Sequence, residues 1–144
     1  VMQDQVELIR RIERQYLRDQ LGTLHLQMVD GMVIHLLFRR GPLRQEDIAQ
    51  WIVTDKGAVA RSLARLEEMG LVVRTVSDQC RREKQAALTP AGEQTASQIR
   101  QVLQNWGQIR YQGFSPEERA QYESFLIRIC ENVQQYKQGG ITIG

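Results

Sequence analysis

The side chains best suited to chemistry on another molecule are cations set beside unusually small residues. Residues 56–65 read KGAVARSLAR, and 81–84 read RREK. Gly57, Ala58 and Ala60 are small enough for a backbone to approach a groove floor closely. Lys56 can reach a phosphate or a base edge. Arg61 lies about one turn beyond Ala58 and can meet guanine with two parallel N–H donors, worth roughly 1–3 kcal/mol of discrimination. Arg65, a turn further, suits a phosphate contact. Arg81, Arg82 and Lys84 stand near the end of what reads as a hairpin, and a narrow groove attracts a guanidinium by its negative potential. The chemistry is charge-assisted recognition of a polyanion, with no bond made or broken.

Other reactive types are sparse. Cys80 sits beside Arg81 and Arg82, which favour the thiolate. That makes Cys80 a candidate redox switch, against the plainer reading of a tolerated loop-tip residue. Cys130 falls beside an apolar stripe and reads as packing. His25 and His35, with Met28 between them, are candidates for orienting a small bound acid or phenol. A metal site needs three or four converging ligands, and the sequence offers no such cluster. No GxGxxG or GxxxxGK occurs, and no nucleophile–base pair stands out. No catalytic residue, metal or cofactor is therefore assigned. Tyr16, Trp51, Trp106 and Tyr111 read as core or dimer packing rather than as a ligand cage.

The bulk numbers set bounds on this reading. The chain has 144 residues, 42% hydrophobic and 25% charged, with a formal net charge of only +2. A core is affordable at this size. Any contact with nucleic acid must come from local placement of charge. The apolar runs are far shorter than the roughly 20 residues of a membrane span. The polar start is not the pattern of a signal peptide. Two cysteines make no disulfide scaffold, so a cytoplasmic setting without membrane is expected.

The elements that position these residues follow from periodicity. Val6, Ile9, Ile12 and Tyr16 predict an amphipathic helix over 3–20. Val29, Met32, Val33, Leu36 and Leu37 predict a second over about 28–40, stopped by Gly41-Pro42. A short third helix spans 44–52 and buries Ile48, Ala49 and Ile52. Thr54 or Asp55 caps a fourth, whose inner face is Val59, Ser62, Leu63 and Leu66, and Gly70 ends it. The period then changes. Residues 71–76 and 84–88 are strand-like, with a polar turn between them. Thr89-Pro90 opens a long helix bearing Ile99, Val102, Leu103, Trp106 and Ile109. Ser115-Pro116-Glu117-Glu118 is a capping box that starts the last one, with Tyr122, Phe125, Leu126, Ile129, Val133 and Tyr136 as its stripe. The expected class is mostly α with a small β-hairpin (α+β).

The long terminal helices carry apolar stripes that a reader built from 28–89 cannot cover. A second copy of the chain, related by a two-fold axis, is the economical solution. Two reading heads would then fit half-sites about 34–36 Å apart.

Taken together, GPLRQEDIAQWI (41–52), DKGAVARSLARLEEMGLVVR (55–74), RREKQAALTPAG (81–92) and SPEERAQYESFL (115–126) resemble the MarR family of bacterial transcriptional regulators. The resemblance covers nearly the whole chain. It implies a winged helix-turn-helix with long N- and C-terminal dimerisation helices: 1–27 for dimerisation, 28–89 for DNA, and 90–144 for dimerisation. It also implies a homodimer on a pseudo-palindromic duplex operator, with 55–69 in the major groove and the wing at 77–84 reaching the minor groove. A small aromatic or phenolic effector would release DNA, which makes a repressor the expected role. One departure concerns the wing. The family places an aspartate two residues before the minor-groove arginine; here Arg82 matches that arginine and Cys80 stands at the aspartate's place. Asp78 or Glu83 could pair with an arginine instead. The competing readings are redox control through Cys80 and a winged helix used for protein contact. The arginines of the wing, together with the small residues of the fourth helix, speak against the second.

Overall fold

A computed structural model describes residues 1–52, 54–77 and 80–139, with the side chains of Met2, Ser77 and 80–83 outside the described set. Six helices and a small antiparallel sheet follow in the order α1 (Met2–Gly22), α2 (Met28–Arg40), β1 (Leu43–Arg44), α3 (Gln45–Trp51), α4 (Lys56–Glu68), β2 (Val72–Ser77), β3 (Cys80–Leu88), α5 (Pro90–Arg110) and α6 (Pro116–Lys137).

Short-range signals set most boundaries. Asp55 caps α4, its carboxylate accepting the Ala58 amide at 2.7 Å. Ser115 and Glu118 form the reciprocal capping box of α6, at 3.1 and 2.8 Å. Gly41 and Gly70 take positive φ at the ends of α2 and α4. At Thr89 the hydroxyl accepts the Gly92 amide and donates to the Gly70 carbonyl, so one side chain starts α5 and closes the turn after α4. Gly92 is there for space, since a Cβ would stand 2.0 Å from the Leu71 carbonyl oxygen.

Three expectations need correction. Arg44 does not begin a helix: Leu43 and Arg44 pair with Ala86 and Gln85 on the outer edge of β3, giving the strand order β1-β3-β2. Two residues are too few to show an alternating pattern. Second, α2 buries Asp30, Gly31, Val33, Ile34 and Leu37, whereas Met32 is 42% exposed and Val29 and Leu36 are half-buried. The cause is packing on several sides, because α2 touches α1, α3, α4 and β3. Third, β3 begins at Cys80 rather than at residue 84, so Arg81 and Arg82 belong to the strand rather than to a turn.

The core joins Val33, Ile34 and Leu37 of α2 to Ile48 of α3, Val59, Leu63 and Leu66 of α4, Ala86 of β3, and Ala96 and Ile99 of α5. The chain divides into two compact units, 1–106 and 107–144. In the first, Tyr16 stacks on Trp106 at 4.9 Å between ring centres, and the Tyr16 hydroxyl donates to the Val102 carbonyl at 3.4 Å. In the second, Tyr111 packs against Phe114 and Tyr122, with the Arg119 guanidinium 4.4 Å from its ring centre. No residue of α6 is buried. Its Phe125, Ile129 and Val133 are 49%, 56% and 61% exposed, and Val6, Ile9 and Ile12 of α1 are exposed as well. Cys130, read as packing, is also exposed on α6.

Candidate nucleic-acid interface

Helix α4 turns Val59, Ser62, Leu63 and Leu66 inward, as its spacing predicts. The opposite face carries Lys56, Gly57, Arg61 and Ala64, all exposed. Ala58 and Ala60 are half-buried at the edges of that face. Ala64 was missed, although it lies seven residues after Gly57 and three after Arg61, which puts it on the same stripe. A Cβ on Gly57 would stand 3.2 Å from Arg61 Nη1. The guanidinium of Arg61 therefore lies back along the helix, over the bare backbone of its first turn. Lys56 makes a 3.7 Å ion pair with Glu46 of α3; both are exposed, so the pair contributes little and yields readily to a stronger anion.

Arg65, expected at a phosphate, is engaged within the protein. Its Nη2 donates to Asp30 Oδ1 at 2.8 Å and its Nε faces Oδ2 at 3.4 Å. Ser62 Oγ donates to the same carboxylate at 2.6 Å, and the Gln27 backbone amide does so at 2.9 Å. Asp30 is 1% exposed. Sequence reasoning overlooked it. The available signal was an acidic residue at the third position of α2, where it closes a capping box with Gln27. A serine on the otherwise apolar face of α4 was a second one.

The hairpin gives the wing its shape. β2 and β3 pair from Val72↔Leu88 to Val76↔Lys84, and the next pair is Ser77↔Cys80. One step along β2 thus matches four along β3. Arg81, Arg82 and Glu83 are left without counterparts, in a bulge that bends and twists the ribbon. Lys84 is exposed just inside it. The base of the wing is tied to α4 by an Arg74–Glu67 ion pair at 2.5 Å. The suggested partners of Arg82, and the thiol of Cys80, fall outside the described side chains, as Asp78 does entirely.

The effector candidates separate. Met28 and His35 line an apolar cavity of about 100 Å³, walled also by Leu17, Leu21, Gly31, Met32, Ile99, Val102 and Leu103. His25 is not among its walls. It sits exposed in the α1–α2 turn with φ of 62°, where its amide closes onto the Gly22 carbonyl. His35 Nδ1 is buried and, among the described residues, has no hydrogen-bond partner. Burial first, and then the charges of Arg39 and Arg100, hold its pKa below the ordinary value. The neutral imidazole is thus the folded-state form. A depressed histidine pKa stabilises the fold above the unfolded-state value, near about 6.5, and that contribution is lost as pH falls through the lower folded-state pKa. Thermal melts of wild type and His35→Gln across that acid range are expected to show the wild type losing stability faster. Parallel curves would contradict this.

Trp51 lies outside the core of the single chain. It is 52% exposed, with the Arg40 guanidinium 4.0 Å above its ring. Among the described residues no group of three His, Cys, Asp or Glu side chains could hold a metal ion, and no helix is long and apolar enough to cross a membrane.

Known proteins share this architecture. Residues 26–92 match the family described as a winged helix DNA-binding domain. The HTH-type transcriptional regulator YybA of Bacillus subtilis, itself uncharacterized, is 22% identical over 111 residues, covering 76% of this chain and 74% of YybA. The crystal structure of MarR superposes with a TM-score of 0.75 at 26% identity, covering 93% of this chain and 98% of that one. A mutant of MepR from Staphylococcus aureus, solved bound to an oligodeoxyribonucleotide, superposes with a TM-score of 0.63 at 22% identity, covering 92% and 98%. The exposed cationic face of α4, the bulged ribbon behind it and these likenesses agree: the chain carries a winged helix DNA-binding domain and is similar over most of its length to MarR-family transcriptional regulators.

Proposed function

We propose that the chain works as a cytoplasmic homodimer that reads a pseudo-palindromic operator in duplex DNA and represses until a small effector binds. The observation that carries this reading is the outward face of α4, where Lys56, Gly57, Arg61 and Ala64 are left uncovered by a fully packed inner face. A helix with that surface fits a major groove, with Arg61 directed to a base edge and Lys56 to a phosphate. Arg82 is the minor-groove residue of the wing, with Arg81 and Lys84 on the flanking phosphates. The exposed stripes of α1 and α6 supply the contact with the second copy.

The effector site is the cavity at Met28 and His35. Its volume of about 100 Å³ is about two-thirds of that of a cavity that takes up benzene, so it suits a ligand of one ring at most. The apolar lining suits the ring of an aromatic or phenolic effector.

The test is the salt dependence of binding to duplex DNA. Each phosphate contact contributes about 0.9 to the slope of log K against log salt. Arg82→Ala is expected to make that slope shallower, and Lys84→Ala, at a phosphate, to lower it by about 1 and to weaken all sequences alike. Arg61→Ala is expected to cost about 1–3 kcal/mol on the preferred sequence and to relax preference at one base. A flat, weak signal from the wild type would overturn the reading.

A further inference from the structure

Asp30 is a buried carboxylate that none of the proposed DNA contacts uses. Its partners lie on two elements: the Gln27 amide at the start of α2, and Ser62 and Arg65 on α4. The residues around it on α2 face another way. Met28, Gly31 and Met32 line the cavity, with His35 one turn further on. The same two turns of α2 thus form a cavity wall and hold the recognition helix.

A buried ion pair is poorly suited to stability alone, because apolar groups of similar volume often serve as well. What it supplies is direction. Apolar contacts tolerate sliding, whereas short charge-assisted bonds fix both the rotation and the axial position of a helix. Gly31 is the tight point of the arrangement. A Cβ there would meet the two methyls of Leu21 at 2.8 and 2.9 Å, and Leu21 is itself buried and part of the cavity wall. A group that presses on Leu21 presses on α2 one residue from Asp30.

We infer that Asp30 is a positioning residue of the DNA reader, which passes displacement of the cavity wall at Gly31 to α4 through Ser62 and Arg65. Its regulatory meaning rests on the DNA reading above; its mechanics do not. The ligand is replaced by a built-in wedge, Gly31→Ala, and the readout without DNA is hydrogen exchange of the α4 amides. Gly31→Ala is expected to speed that exchange about tenfold. Adding Leu21→Ala, which makes room for the new methyl, is expected to restore it. In an Asp30→Asn background, or in the milder Ser62→Ala background if the former does not fold, the wedge is expected to change α4 exchange by less than about threefold. Equal effects of the wedge with and without the clamp overturn the inference, as does a wedge without effect. In a second arm, DNA affinity is expected to follow the same pattern, falling about tenfold with Gly31→Ala and returning with Leu21→Ala. If the exchange arm holds and even the wild type fails to bind duplex DNA, it is the DNA reading that falls.

Discussion

A variant carrying Leu126→Glu and Ile129→Glu is expected to sediment as a monomer and to bind a two-half-site duplex at least about a hundredfold more weakly than wild type. Both positions lie on the α6 face formed by Tyr122, Phe125, Leu126, Ile129, Val133 and Tyr136, at helical spacing over most of the helix. No residue of that helix is buried. Each apolar side chain removed from water stabilises by about 1.5–3 kcal/mol when fully buried, so a stripe of this length is far more than chance exposure. A carboxylate in such a seam would have to be desolvated without a partner, which costs more than the seam returns. The DNA effect follows from linkage. Two heads joined by one dimer engage the second half-site at high effective concentration, typically a gain of about 10²–10⁴-fold. Sedimentation velocity and fluorescence anisotropy on one- and two-half-site duplexes check both parts. A double variant that remains dimeric, or binds both duplexes as the wild type does, would sink the proposal. A monomer that keeps a weak affinity for a single half-site would show that reading and pairing are separable.

The second large effect is on stability. Asp30→Ala is expected to lower the unfolding free energy by about 1–3 kcal/mol, since it leaves the buried Ser62 hydroxyl without its acceptor, while the partly exposed Arg65 can turn to water. It also removes the acceptor that caps the Gln27 amide at the start of α2. Asp30→Asn keeps one acceptor oxygen and should fall between the two. Ser62→Ala should cost only about 0.5–1.5 kcal/mol, the net value of a neutral hydrogen bond, or somewhat more because its acceptor is charged. Urea melts at fixed protein concentration measure these differences, with concentration held constant because partner binding adds to apparent stability. A loss below about 1 kcal/mol for Asp30→Ala would show the site to be open to water.

Much of the fold was legible in the sequence because it rests on neighbours within a turn or two. The Ser115–Glu118 box, the Asp55 cap and Gly70 are signals spanning three or four residues. The inner face of α4 came out as Val59, Ser62, Leu63 and Leu66 because α4 buries a single stripe. Where a helix is packed on several sides, the same rule misassigned the face. On α2 it chose Met32, which is largely open, and passed over Ile34, which is wholly buried. The functional face was partly legible too: Lys56, Gly57 and Arg61 stand together as their spacing requires, while Ala64 on the same stripe went unnoticed.

What sequence alone determined about this protein is the order of its elements, their caps, and a cationic, small-residue face on α4 followed by a basic ribbon. All of these are set by contacts close along the chain, where residue type and spacing are sufficient. Tertiary structure decided the rest. It drew Arg65 inward to a carboxylate 35 positions away and paired two residues of β1 with a strand some forty residues later. It also placed the wing arginines in a bulge and joined Met28 and His35 to a cavity that excludes His25. Those outcomes depend on which surfaces meet when the elements pack, and no local pattern encodes such a meeting. The physical reason is that charge and hydrogen-bond partners are chosen by distance in space once water is excluded, and not by distance along the chain.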